Sequence, residues 1–334
     1  MKKYRFLLIP KSNYFEDIIQ INALKKELLK KDQYVKALTG PMNDESLKWL
    51  LEEFHFDVVF QVNKVKSPIH SKFKNVRFIS WMTNIDEIQQ HADYLNNNDI
   101  IYLLNPTKQT SKARVSNFFP AIDLFKTNYS LNDLITANYD LNNYQSYDIS
   151  YISNEILMDF YQSDGKIKKK EFNQILKRMD EFFGDFKHTK QNFMIYFFGI
   201  ARPSDKLLSN KYAKFLGTVK NYNLFYDIAR LSKINAISEK NSFHFNTNFF
   251  RILSVQGLIL VKKQLNISKY IQKLGFNEGM DFLSFSNTKE LQDIIDEYLV
   301  DSKKRNFIGS NAQKFALDKH TYQNRVDQLL KDLA

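Results

Sequence analysis

Apolar and polar positions along the chain follow two rhythms. Short apolar runs rich in β-branched and aromatic residues occur at 4–9, 56–62, 76–81 and 100–104, each bounded by polar or turn residues. Runs of this length and composition read as buried strands. Between the first two lie stretches of helical period. Residues 16–31 place Ile18, Ile19, Leu24, Leu28 and Leu29 on one side and lysines on the other. Asn43 or Asp44 is placed to cap a second helix running to about Phe54, because a short polar side chain there satisfies free N–H groups. Continuous apolar strands alternating with helices predict a parallel sheet covered on both faces. The first half therefore reads as α/β and doubly wound.

The rhythm breaks at 126–147, where Asn and Tyr dominate, and resumes afterwards. Strands are predicted at 147–153, 193–198, 235–237, 258–261 and 282–285. Helices are predicted over 155–186, 224–231, 248–255, 289–299 (capped by Thr288) and 303–332. This gives two Rossmann-like domains, 1–146 and 147–334, with ligands expected in a cleft between them. A length of 334 residues agrees with two domains.

Composition narrows the chemistry. The 9 glycines are nowhere spaced as a dinucleotide fingerprint or a P-loop, and no G-x-S-x-G elbow occurs. The absence of Cys removes disulfides, thiolate zinc sites and cysteine nucleophiles, and fits a reducing compartment. The six His residues show no metal-ligand spacing. Residues 164–172 imitate the back half of a calcium loop, but its first and third ligand positions would be Phe160 and Gln162, and Phe has no oxygen to offer a cation. The apolar stretch 6–9 stops at Pro10, too short for a signal sequence, and the run 193–201 is less than half of the ~20 residues that span a bilayer. A cytoplasmic protein is expected, at most peripheral to a membrane. Lys+Arg exceed Asp+Glu by 48 − 37 = 11. Such a balance favours polyanions: phosphorylated ligands, anionic lipid or nucleic acid.

The stretch 229–261 carries a resemblance. Ser232-Lys233-Ile234-Asn235, then Phe250-Arg251-Ile252-Leu253-Ser254-Val255-Gln256-Gly257, then His320-Thr321-Tyr322-Gln323-Asn324-Arg325 near the C-terminus stand in order. This pattern resembles CgeB-like (spore maturation protein) glycosyltransferases of the GT-B group, which includes glycosyltransferase group 1. The likeness covers about 225–330. It is thinner in the first half, where 76–84 resembles a W-x-x-D strand end.

The resemblance implies a GT-B fold whose last helix crosses back to the first domain, with Tyr322 packed and Arg325 paired. It implies transfer of a sugar from a nucleotide-diphosphate donor without metal or other cofactor. The acceptor would be a glycan, a lipid-linked glycan, a protein or DNA. The leaving diphosphate needs positive groups. Asn246, Thr247 and Asn248 precede the predicted helix at 248, whose N-terminus would face a phosphate. Lys233, Arg251, Arg202 and Lys206 are the candidate counter-charges, and Lys233, Asn246, Thr247 and Arg251 are expected to converge. Glu239 and His244 are candidates for ribose or base.

Two departures from the family pattern stand out. Arg251 occupies the position where the family places a ribose-holding Glu, and a guanidinium only donates hydrogen bonds. Trp81-Met82-Thr83-Asn84 lacks the Asp of W-x-x-D, which leaves Asp86 as the candidate catalytic base, or as the cap of a helix beginning at Glu87. The alternatives are a GT-B-shaped binding or assembly protein that has lost its donor site, and a basic nucleic-acid-binding protein.

Overall fold

The structure is a computed structural model, which describes residues 2–13, 15–82, 92–103, 113–118, 121, 147–153, 169–190, 192–199, 203–217, 222–238, 243–263 and 267–334. Its contacts divide the chain into one unit of 1–125 with 320–334 and a second of 126–319. The sequence places the domain boundary at 146/147, and the residues just before it, 122–146, lie outside the described residues.

The first unit is built on six parallel strands: β1 (Arg5–Ile9), β2 (Tyr34–Ala37), β3 (Val58–Val62), β4 (Arg77–Met82), β5 (Ile100–Leu103) and β6 (Arg114–Asn117). Their spatial order is β2-β1-β3-β4-β5-β6. The helices α1 (Phe15–Lys30) and α2 (Asp44–Glu53) follow β1 and β2. Asn43 caps α2 as expected, its side chain accepting from the Ser46 N–H at 2.8 Å. Leu47, Leu50 and Leu51 of α2 cover Leu7 and Ile9 of β1, Val59 of β3 and Phe78 of β4. Strands β2 and β6 are absent from the sequence reading. Both lie at sheet edges, and the half-exposed Tyr34–Ala37 shows no continuous apolar run.

The second unit repeats the plan with β7 (Tyr147–Ser153), β8 (Ile195–Gly199), β9 (Ala213–Phe215), β10 (Ser232–Ile237), β11 (Ile259–Lys262) and β12 (Leu283–Phe285), in the order β12-β11-β10-β7-β8-β9, all parallel. Its helices are α3 (Lys169–Phe183), α4 (Asp205–Leu208), α5 (Tyr222–Leu231), α6 (Phe243–Ser254), α7 (Ile267–Lys273), α8 (Thr288–Tyr298) and α9 (Ser302–Lys319). The core is strongly aromatic. Phe182, Phe183 and Phe186 pack with Phe197 and Phe285, the Phe183 and Phe197 ring centroids standing 4.7 Å apart. Asn287 rather than Thr288 caps α8, accepting from the Glu290 N–H at 3.0 Å; Thr288 is the first helical residue.

The last helix, α10 (Tyr322–Leu333), belongs to the first unit and packs on α1. Tyr4 donates to the Leu333 carbonyl at 2.8 Å, and Tyr102 donates to Asp332, which also pairs with Arg114. Within this segment Tyr322 is buried, and the Arg325 guanidinium meets His320 Nδ1 at 2.8 Å.

Candidate functional site

In an open parallel sheet, ligands bind outside the carboxyl ends of the strands, where the strand order reverses. In the second unit that switch point lies between β7 and β10. Strand β10 ends at Ile237, and the chain enters α6 at Phe243. The N-terminus of α6 therefore stands at the switch-point end of the sheet. Its first four N–H groups have no intrahelical partner, and the aligned peptide dipoles make this end positive. The helix begins five residues earlier than the sequence reading placed it. Asn246, Thr247 and Asn248 lie inside its first two turns rather than before it, and His244 is its second residue. The apolar pattern that marks a helix starts only at Phe249, which is why the sequence set the start too late.

Lys233 is not part of this arrangement. It is the second residue of β10, at the strand's amino end, where its ammonium pairs with Asp148 of β7 at 2.6 Å. The α6 N-terminus follows the opposite end of the same strand, about 13 Å along an extended chain. Asp148 also accepts from the Met194 N–H, so the pair ties three neighbouring segments. The whole Ser-Lys-Ile-Asn motif is explained by structure. Ser232 donates to the Ile228 carbonyl at 2.6 Å, closing α5, and Ile234 is fully buried. Asn235 accepts from Ser150 and donates to the Ala229 carbonyl at 3.0 Å. The expected convergence of Lys233 with Asn246, Thr247 and Arg251 is corrected accordingly. Lys233→Met should leave nucleotide affinity unchanged in titration calorimetry. The half-exposed ion pair it removes should cost at most about 1 kcal/mol of stability.

Arg251 stands in the last turn of α6, eight residues beyond its start, and is 5% exposed. Its guanidinium lies 5.7 Å from the ring centroid of Phe225 on α5, a cation–π contact. It is thus about 12 Å along the axis from the free N–H groups of the same helix. Lys206 is exposed on the short helix α4, which follows the carboxyl end of β8. Ser204 caps that helix and donates to Asp180 at 2.6 Å. Arg202, Glu239 and Asp86 lie outside the described residues. Trp81, the anchor of the W-x-x-D likeness, is fully buried and donates to the Phe118 carbonyl at 3.1 Å. Among the described residues no cluster of His, Asp or Glu could hold a metal ion, and no helix is long and apolar enough to cross a membrane.

The first unit offers a site that the sequence reading did not find. The order β2-β1-β3-β4-β5-β6 reverses between β1 and β3. Over the carboxyl ends of these two strands lies a pocket of about 360 Å³, bounded by Ile9, Met42, Gln61, Val62 and Val65, with Lys64 and Asp44 at one side. Its rim is fixed. The Lys64 ammonium donates to the Met42 carbonyl at 2.8 Å and stands 2.6 Å from Asp44 Oδ1. Burial pushes the Asp44 carboxyl up, but Lys64, helped by Ser67 and His70, outweighs it and holds the group below its ordinary range. No sequence motif marks this pocket, because its residues come from three separate stretches of the chain, 9–11, 41–44 and 61–67. The only signal was topological.

His70 holds the rim from below. Its Nε2 meets the Asp44 carbonyl at 3.0 Å and its Nδ1 meets Ser67 Oγ at 3.1 Å. A carbonyl only accepts, so Nε2 carries the proton, and Nδ1 accepts from the Ser67 hydroxyl. Burial lowers the pKa of this imidazole, and the Asp44 carbonyl and charge only partly offset it. The unfolded imidazole titrates near ~6.5. As pH falls through that value the unfolded chain takes up a proton before the folded one does, so stability declines. Denaturant unfolding between about pH 7 and 5 should show this slope, and His70→Gln should flatten it. An unchanged slope in the variant would assign the titration to another group.

The residues 192–331 match the family described as Glycosyl transferase-like, a segment that contains β8 through β12 and most of α10. Among curated proteins, none is matched in sequence. In structure the chain is similar to a glycosyltransferase from Rickettsia africae, at 13% identity, covering 99% of this chain and 98% of that one with a TM-score of 0.59. It is also similar to HepE of Anabaena in complex with UDP and glucose, at 13% identity, 99% of each chain and a TM-score of 0.57. The glycosyltransferase AviGT4 of avilamycin A biosynthesis matches at 10% identity, 99% of this chain and 97% of that one, with a TM-score of 0.55. With two six-stranded parallel sheets flanked by helices, the chain has the α/β fold of GT-B glycosyltransferases, and its carboxyl-terminal segment is glycosyltransferase-like.

Proposed function

We propose that the chain is a glycosyltransferase of the CgeB-like kind. In this reading it takes a sugar from a nucleotide-diphosphate donor held by the second unit and passes it to an acceptor held by the first. The observation that carries this reading is the placement of the α6 N-terminus at the switch point of the second sheet, inside the segment that matches the glycosyltransferase-like family. Free N–H groups and the positive helix end suit a diphosphate and stabilise the charge that develops as it leaves. That chemistry needs no metal. Asn246 and Thr247 in the first turns, Lys206 beyond β8, and Arg202, Glu239 and His244 remain the residues proposed around the donor. Asp86 remains the proposed base. It follows β4, whose carboxyl end neighbours that of β3 at the first-unit pocket.

Melting curves with UDP, GDP, ADP and dTDP test the reading. A ligand that binds only the folded chain adds ~2.7 kcal/mol at a hundredfold excess over its dissociation constant. One nucleotide should raise the melting temperature and the others should not. No shift with any of them contradicts donor binding.

A second reading, a GT-B-shaped binding protein without transfer activity, is favoured by Arg251. Where the family pattern has a ribose-holding Glu, this chain has a buried cation turned onto Phe225. Nucleotide stabilisation with neither transfer nor hydrolysis of the matching nucleotide sugar would select this reading.

A further inference from the structure

We infer that the first-unit pocket over β1 and β3 is a saccharide-reading site whose floor is the side-chain amide of Gln61, so that the acceptor is an uncharged sugar residue. This inference rests on the transferase reading and names its acceptor class.

Gln61 sits in β3 between Ile9 of β1 and Ser80 of β4, its register partners in the centre of the sheet. It is 1% exposed, and neither its Oε1 nor its Nε2 has a hydrogen-bond partner among the described residues. Ser80, equally buried on the same face of the sheet, has an Oγ in the same condition. Buried polar groups are almost always satisfied, and a strand centre normally carries an apolar residue at such a position. The surrounding face is apolar in this way: Leu7, Ile9, Val59 and Phe78 pack there under α2. The polar pair interrupts that face only where the pocket opens, at the carboxyl end of the strands. Unsatisfied groups at this place are a cost to the fold that a ligand would remove.

The pocket's chemistry selects the ligand class. An amide offers one acceptor and two donors in a plane, and a hydroxyl both donates and accepts, so Gln61 suits a pair of adjacent hydroxyls. The apolar walls suit the C–H faces of a pyranose ring. A bare anion is disfavoured at this floor: of the two lysines that line the pocket, Lys64 is already held by Asp44, whose carboxylate is kept ionised, and Lys11 is exposed to solvent. A volume of about 360 Å³ is at the small end of ligand pockets, which limits the buried part to a small ligand such as one sugar ring.

The test is saturation-transfer NMR of the full chain with methyl glucoside, methyl galactoside and methyl N-acetylglucosaminide, with inorganic phosphate as competitor and binding of UDP, GDP, ADP and dTDP followed in parallel samples. At least one glycoside should receive saturation, and phosphate should not displace it. Gln61→Met, close in shape and without the amide, should lose at least tenfold in glycoside affinity while melting at or above the wild-type temperature. Met42→Trp, which fills the pocket from its rim, should lose the same signal without touching the sheet. Binding of the nucleotide that the wild type takes should be unchanged in both. No saturation of any glycoside, an equal signal in Gln61→Met, or a lower melting temperature in that variant would each overturn the proposal, the last by marking the floor as a paired structural element. Nucleotide binding without glycoside binding overturns the pocket alone. Failure of the wild type to bind any of UDP, GDP, ADP and dTDP overturns the transferase reading instead.

Discussion

Lys66→Met should destabilise the protein by about 3–5 kcal/mol, the largest loss expected from any single charge. Lys66 and Asp99 form an ion pair at 3.1 Å with both side chains fully buried. The ammonium also lies 5.0 Å from the ring centroid of Phe78. Asp99 accepts the Phe78 and Asn96 N–H groups at 3.1 and 3.0 Å, so it joins the loop before β5 to the middle strands. Methionine keeps the stem of Lys66 and removes only the charge, which strands a carboxylate away from water. An exposed pair provides the control. Lys72 and Glu52 are each more than 40% exposed, and Lys72→Met should cost no more than about 1 kcal/mol. Denaturant unfolding of the two variants measures the contrast. Equal effects would mean that burial of Lys66 carries no energetic weight.

Gly309→Ala should cost at least ~2–3 kcal/mol, by overpacking. Gly309 lies in α9 where that helix crosses the end of α6, and a Cβ there would sit 2.1 Å from the Gln256 carbonyl oxygen. That carbonyl cannot swing away freely. Gln256 is in the left-handed region at φ 59°, and its side chain donates to Gln313 at 2.9 Å. Gln313 in turn donates to the Ser254 carbonyl at 2.7 Å. The added methyl must therefore push α9 off the helix that carries the proposed donor site. Gly40→Ala, whose Cβ would meet only Asn13 at 3.6 Å, should change stability by less than ~0.5 kcal/mol. A Gly309→Ala protein as stable as Gly40→Ala would show that α9 is free to shift.

Much of the fold is legible in the residues, and the reasons are physical. The central strands β1, β3, β4, β5, β8 and β11 are buried on both faces, so they appear as largely apolar runs, with Gln61 and Ser80 the polar interruptions of β3 and β4. The edge strands β2 and β9 are partly wet and only four and three residues long, so no run marks them. Helix α2 declares its start through Asn43, whereas α6 opens with the mixed stretch Phe243-His244-Phe245-Asn246 and hides its first turn. The site was less legible. Lys233 looked like a phosphate ligand because a lysine in a motif invites that reading, but which end of a strand a residue occupies is set by strand order, which a motif does not contain. Gln61 was invisible for the converse reason. A single glutamine in an apolar run is unremarkable until the register places it beside Ser80 under a pocket.

In the proposed function the α6 N-terminus holds the donor's phosphates. Hydrogen–deuterium exchange of the full chain, with and without the nucleotide that raises its melting temperature, tests this most directly. Amides in the first turn of α6, residues 243–246, have no intrahelical partner and should exchange quickly in the free protein. On nucleotide binding they should become protected, while the amides around Lys233 at the other end of β10 should be unchanged. Nucleotide-dependent protection confined to the Lys233–Asp148 end, with the first turn of α6 still exchanging freely, would contradict it.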